Sequence, residues 1–240
     1  MRRLLQAALA VVILATSAPA LADIEIHKNF KQADPDDLRS MRVLSGEWSV
    51  RKDIGAFPTS APAGRPAAIS LGDFNVKFFD LTSRFTFDVS TDEIGVIIGD
   101  PNGEGTRPSY YVSLKFYRFG REIGVVTSVG TVPVGFLEGA NRSPPMQVGP
   151  AQVATPGREV GIRITGPDEW DSFSILGPGL SVGFDQSMTQ PMGKLTFFSF
   201  RKDPQSPFGI ARFDLTGSGP PVTRSHKNPR LRRHILGLME

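Results

Sequence analysis

Hydrophobic and polar residues alternate with a period of two along most of this chain. Phe74, Val76 and Phe78 are separated by Asn75 and Lys77; Phe85, Phe87 and Val89 alternate with Arg84, Thr86 and Asp88; Tyr110, Val112, Leu114 and Phe116 alternate with Tyr111, Ser113, Lys115 and Tyr117. Successive side chains of a strand point to opposite faces, so each run predicts a strand with its first-named set inward. Apolar runs at 94–99, 123–129, 195–200 and 208–215 extend the series, as do the sets Val160, Ile162, Ile164, then Phe173, Ile175, then Val182, Phe184. Gly46 to Arg51 opens it, and Asp23-Ile24-Glu25-Ile26-His27 reads as an edge strand ahead of it. Between them, Asp34-Pro35-Asp36-Asp37 offers an N-cap, a proline at the first helical position and an acidic first turn, which predicts one short helix over about 35–44. The Pro- and Gly-rich stretches 55–68 and 137–156 predict loops.

Composition strengthens this picture. The 17 Phe suit strands, and 25 Gly with 20 Pro supply many turns. About a dozen strands with almost no helical periodicity between them predict an all-β, two-sheet antiparallel sandwich rather than a βαβ fold. Residues 1–22 begin with Arg2 and Arg3, continue through an apolar stretch and end in Ala20-Leu21-Ala22, the order of a secretory signal peptide. The stretch falls short of the roughly 20 apolar residues of a membrane span, and no later segment qualifies. The expected organisation is a signal over 1–22, one sandwich domain over 23–217, and a linker with a basic C-terminal helix over 218–240, exported to the periplasm or beyond. The absence of Cys excludes disulfides, a thiolate nucleophile and Cys-bound metal. Basic residues number 27 against 24 acidic, but Arg2 and Arg3 belong to the signal, so the remainder is close to neutral and is not a nucleic-acid binder by charge.

Several local patterns over roughly residues 42–216 resemble the concanavalin A-like jelly rolls and, within them, the laminin G-like modules of bacterial secreted proteins. They are Gly46-Glu47-Trp48-Ser49-Val50, Ile94 to Asp100 followed by Tyr110 to Leu114, Val160 to Ile164, Phe173 to Val182, and Gly193 to Phe200 with Arg212-Phe213-Asp214. The resemblance implies a sandwich that in many relatives binds glycans or proteins and in some degrades polysaccharides; fold alone does not choose among them.

The chemistry favours binding over catalysis. Glycoside hydrolysis needs two carboxylates about 5 Å or about 6.5–9.5 Å apart. Asp23-x-Glu25-x-His27 is terminal, and Asp168, Glu169 and Asp171 surround Trp170 in a turn pattern. His27, His226 and His234 all fall in terminal segments, so no histidine base is expected in the sheets. No phosphate-binding glycine loop or zinc spacing occurs. The outward row, by contrast, collects Lys77, Arg84, Tyr111, Lys115, Tyr117, Arg163 and Arg212. Aromatic rings stack on sugars, and Arg and Lys pair with carboxylate or sulfate, so these residues are the candidate ligand-binding set for a carbohydrate or envelope polymer, an acidic glycan in particular. No cofactor is required. Calcium is the one metal with a candidate place, at Asp100, Asn102 and Glu104, where three oxygen-bearing side chains alternate in a Gly-containing loop. Trp48 reads as a core or rim anchor, Asn141-Arg142-Ser143 matches a glycosylation acceptor, and the tail with Arg230, Arg232, Arg233 and His234 could meet an anionic surface or a protein partner. The expected function is thus a non-catalytic exported glycan-binding module. A polysaccharide hydrolase or lyase and a structural or protein-interaction module are the alternatives.

Overall fold

A computed structural model describes residues 22–32, 38, 41–74, 76, 78–87, 93–106, 108–140, 146–155, 158–166, 173–177, 180–184, 193–200 and 209–219. Strands, numbered in chain order, pair antiparallel into two sheets. The eight-stranded sheet runs β13 (Leu180–Phe184), β12 (Phe173–Gly177), β11 (Glu159–Gly166), β6 (Phe78–Thr86), β15 (Gly209–Gly219), β4 (Gly55–Ser60) and β3 (Glu47–Arg51), with β1 (Ala22–Asn29) also paired to β15. The seven-stranded sheet runs β10 (Met146–Ala154), β9 (Glu122–Thr131), β8 (Tyr110–Phe119), β7 (Glu93–Ile98), β14 (Lys194–Phe200), β5 (Ala67–Asp73) and β2 (Arg42–Ser45).

The main core lies between the sheets and is built from the alternate positions the sequence marks as inward. Leu81, Phe85, Ile162, Ile164, Phe213 and Leu215 of one sheet meet Ile94, Val96, Val112, Leu114, Phe116 and Phe197 of the other. Phe197 joins the layers, edge-on to Phe85 at 6.1 Å and to Phe213 at 5.7 Å, geometries that suit the ring quadrupoles. Trp48 packs partly buried against this core, and its indole N–H donates to the Ser45 carbonyl at 3.3 Å, as expected of an anchor.

Four expectations are corrected. Residues 42–44, the expected end of a helix, belong to strand β2 (Arg42–Ser45), and of the rest of that stretch only Leu38 and Met41 fall within the described residues. The stretch 55–68 contains β4 and the start of β5: Pro58 stands opposite Trp48 in the β3–β4 hairpin at the end of the sheet, past the Ala56–Ile210 register pair with β15. The stretch 137–156 contains β10, an edge strand whose register shifts between Val148 and Gln152, and Pro150 falls in that bulge; edges and bulges are where a strand tolerates proline. Ser218 and Gly219, assigned to a linker, complete β15. Residues 1–21, Asn141-Arg142-Ser143, Asp168 to Asp171 and the tail from 220 lie outside the described residues. Among the described residues no helix is long and apolar enough to cross a membrane.

Candidate functional site

The outer face of the eight-stranded sheet carries polar side chains in register across neighbouring strands. One row reads Gly161 (β11), Arg84 (β6), Arg212 (β15) and Asn29 (β1); the next reads Arg163, Thr82, Asp214 and His27; the third reads Thr165, Asp80, Thr216 and Glu25. The middle of this face is a shallow groove of about 650 Å³ lined by Asp80, Thr82, Arg84, Glu159, Arg163 and Asp214, among others. The inward neighbours Leu81, Ser83 and Phe85 are buried, which fixes the outward direction of Asp80, Thr82 and Arg84 by the two-residue period.

Arg163 forks onto Asp80: Nε donates to Oδ1 at 2.9 Å and to Oδ2 at 3.1 Å, and Nη2 donates to Oδ2. These hydrogen bonds and the Asp80 charge raise the Arg163 pKa above its ordinary value, so this guanidinium stays charged and held in place. Glu159 takes Lys31 at 3.0 Å and Arg212 at a loose 3.7 Å. Arg84 has no carboxylate partner among the described residues; its side chain crosses Gly161, where a Cβ would stand 2.9 Å from Arg84 Cδ. The absent side chain at 161 thus makes room for Arg84. Arg84 and Arg212 stand directly opposite each other, a like-charge pairing that is unfavourable and that, among the described residues, only the loose Glu159–Arg212 contact offsets.

His27 bridges two carboxylates, Nδ1 to Asp214 Oδ1 at 2.8 Å and Nε2 to Glu25 Oε1 at 2.9 Å. A carboxylate only accepts, so the double bridge needs both ring nitrogens to donate, which only the imidazolium form does. The hydrogen bonds to Glu25 and then Asp214 raise its pKa above 6.5. The bridge is therefore fully formed below pH 6.5 and is lost as pH rises through the elevated value. In a proton NMR titration His27 is expected to titrate above the free-histidine midpoint, with Glu25→Gln and Asp214→Asn each moving it back down. A midpoint at or below 6.5 would show that the bridge does not form in solution. The expectation of no histidine in the sheets is thereby corrected: β1, although terminal, is a full member of the eight-stranded sheet.

The predicted binding residues are only partly brought together. Arg84 and Arg163 line the groove, Arg212 lies beside it in register with Arg84, and Lys77 lies outside the described residues. Tyr111, Lys115 and Tyr117 lie on β8, on the outer face of the opposite sheet, and so cannot share a site with them. Tyr111 is only 1% exposed, covered by Phe136 at 6.1 Å and Phe198 at 5.9 Å in a second small core. Tyr117 is half-buried across Gly124, while Lys115 is exposed, opposite the buried Glu93 that accepts a 2.7 Å hydrogen bond from Ser113. Outward parity was read correctly along β8; what it could not reveal is that residues 132–140 fold over that face.

The loop at Asp100 holds this cover. Asn102 Oδ1 accepts the Leu137 N–H at 3.0 Å, and the Asn102 carbonyl accepts the Gly135 N–H at 2.9 Å. Asp100 accepts the Asn102 N–H at 3.0 Å and pairs with Lys194 Nζ at 2.9 Å, while Asn102 Nδ2 donates to Glu104 at 2.7 Å. Desolvation pushes the Asp100 carboxyl up, but the Lys194 ammonium and the Asn102 N–H outweigh it and hold the pKa below the ordinary value. In this arrangement Lys194 supplies the cation and the Asn102 oxygen is committed to backbone. The three oxygens, as placed, do not converge on a calcium ion.

Sequence reasoning missed Asp80, Glu159, Gly161, Thr216 and Phe78. Phe78 was assigned inward, yet it is 43% exposed while Phe79 is buried: β5 ends at Asp73, and β6 starts at Phe78 with the opposite phase. The alternation Asp80-x-Thr82-x-Arg84, counted backward from the buried Phe85, carries that information.

No family model matches the chain, and no curated protein is detectably similar to it in sequence. Solved structures do resemble it, and they show that its fold is a concanavalin A-like jelly roll. The carbohydrate recognition domain of Emp46p in a metal-free form has a TM-score of 0.53 at 12% identity, over 78% of this chain and 94% of that one. The Crh5 transglycosylase in complex with NAG has a TM-score of 0.51 at 16% identity, over 84% and 87%. A more distant similarity, TM-score 0.47 at 10% identity over 80% and 87%, is to the VIP36 exoplasmic/lumenal domain in a Ca2+/Man2-bound form. At these identities the likeness is one of fold.

Proposed function

We propose that this chain is an exported carbohydrate-binding module and that the groove on its eight-stranded sheet takes an acidic glycan. The observation that carries the reading is Arg84, laid over Gly161 directly opposite Arg212 and itself without a carboxylate partner among the described residues, where Arg212 has only the loose Glu159 contact at 3.7 Å. A uronate or sulfate group between the two guanidiniums would relieve their repulsion and accept charge-assisted hydrogen bonds. Thr82, Thr216 and the Asp80–Arg163 fork offer donors and acceptors for sugar hydroxyls. Support for a sugar as ligand comes from the fold, shared with the carbohydrate recognition domain of Emp46p and with a transglycosylase holding NAG.

Binding is favoured over hydrolysis because the groove carboxylates are all engaged: Asp80 with Arg163, Asp214 and Glu25 with His27, and Glu159 with Lys31. A general acid and a nucleophile would each have to leave an ion pair first. Residues 1–22 have the pattern of an export signal, which supports reading the module as one that acts in the periplasm or the medium.

A glycan array probed with the purified protein at two salt concentrations, with calcium and with EDTA, tests this reading. The expected result is binding to uronate- or sulfate-bearing glycans that weakens with salt and is indifferent to EDTA, since Lys194 already occupies Asp100. Calcium dependence would instead assign a role to Asp100, Asn102 and Glu104. Arg84→Ala is expected to cost about 1.5–3 kcal/mol of binding, the range for a hydrogen bond to a charged group. A blank array from folded protein would overturn the proposal and direct attention to a protein partner for the tail around Arg230 to His234.

A further inference from the structure

The groove continues past its charged end. A second hollow, lined by Ile24, Glu25, Phe78, Thr216 and Ser218, shares Asp80 and Thr216 with the first, so the two form one trench along β6 and β15. Phe78, Asp80, Thr82 and Arg84 are successive outward positions of β6, and at about 3.3 Å per residue Phe78 and Arg84 are roughly 20 Å apart. Phe78 lies opposite Ser218 and Asp80 opposite Thr216, so hydroxyl groups follow the trench from its aromatic end toward the middle. A phenyl ring 43% exposed on a polar sheet face is out of keeping with its neighbours Phe79 and Phe85, which are buried.

From this geometry, and resting on the glycan-binding reading above, we infer that the trench holds an extended acidic oligosaccharide lengthwise along β6, with one sugar ring stacked on Phe78 and an anionic substituent at Arg84. The C–H face of a pyranose is apolar and matches an aromatic ring, whereas its carboxylate matches a guanidinium, so the ends of the trench select different parts of one ligand. The distance between them calls for a ligand several sugars long, and a single sugar reaches only one end.

The test is calorimetric titration of the full chain with oligogalacturonates from monomer to hexamer and with their methyl-esterified counterparts. Wild-type affinity is expected to rise with length and then level off. Phe78→Ala should leave monomer affinity unchanged and lower hexamer affinity by about threefold to tenfold, the range for an aromatic contact, with no change in salt dependence. Arg84→Ala should weaken every acidic member, reduce the salt dependence and leave the esters unaffected. Phe78→Leu, which keeps an apolar side chain without the ring, should behave like Phe78→Ala and controls for folding. Acidic binding that depends on Arg84 but not on length or Phe78 would overturn the lengthwise placement and leave the anion site standing. Failure of the wild type to bind either series would overturn both readings.

Discussion

Phe213→Ala is expected to lower the stability of the sandwich by about 3–5 kcal/mol, the range for deleting a buried aromatic ring. Phe213 is 2% exposed and stands on β15, the strand through which most of the eight-stranded sheet is joined. Its ring meets Phe197 of the opposite sheet at 5.7 Å and Phe30, just beyond β1, at 6.1 Å. The Phe30 N–H also donates to the Ala211 carbonyl at 2.9 Å, so the cavity would open at the point where β1 is tied down and the layers meet. Urea unfolding should show a lower midpoint at unchanged slope, which separates lost packing from an altered unfolded state. A loss below about 1 kcal/mol would mean that Phe30 and Phe197 collapse into the space and that the contact matters little.

Gly55→Ala is expected to be comparably damaging for a different reason. Gly55 has φ +98°, and a Cβ there would stand 2.0 Å from the Ile210 carbonyl oxygen. The backbone strain alone costs on the order of 1–3 kcal/mol. The clash adds to it by pushing apart Ala56 and Ile210, the one register pair that joins β4 to β15. With that pair lost, the β3–β4 hairpin would hang from the sheet, keeping its own Arg51–Asp53 ion pair at 2.7 Å. Amide exchange should therefore accelerate across 47–60 before it does in β6 or β15. Uniform acceleration across both sheets would show that the hairpin is not a separable unit.

The two-layer architecture was legible because each core strand buries one face, and a period of two survives in the sequence wherever that is so. Phe85, Val112, Leu114, Phe116, Ile162 and Ile164 all point inward as the alternation requires. The method failed where one period did not span the element. Between Asp73 and Phe78 the phase changes, which misassigned Phe78 and hid the aromatic end of the trench. Proline misled in the other direction: β10 is an edge strand with Pro150 in a bulge, and β4 carries Pro58 beyond its one register pair with β15, yet proline in sequence reads as loop. The candidate site was half-visible for a related reason. Parity assigned Arg84, Arg163 and Arg212 to an outer face correctly, but parity is silent on which of two sheets a strand joins. Tyr111, Lys115 and Tyr117 were grouped with them although they lie on the other side of the sandwich. His27 escaped notice because its partner Asp214 is 187 residues away, and no local pattern encodes that distance.

The position of β15 bears on how the polypeptide acquires its shape. It is the last described strand in the chain, yet β6, β1 and β4 all pair with it. A nascent chain made from its amino terminus therefore has β1 complete long before β1 has anything to pair with, and the β3–β4 hairpin must likewise wait for its attachment to the sheet. Such distant pairings slow folding, since a large loop must close before the contacts that reward it can form. The seven-stranded sheet and the β6–β11–β12–β13 ladder need no residue of 209–219, so β15 is the closing piece of the sandwich: its arrival captures the amino-terminal strand and the β3–β4 hairpin in one step.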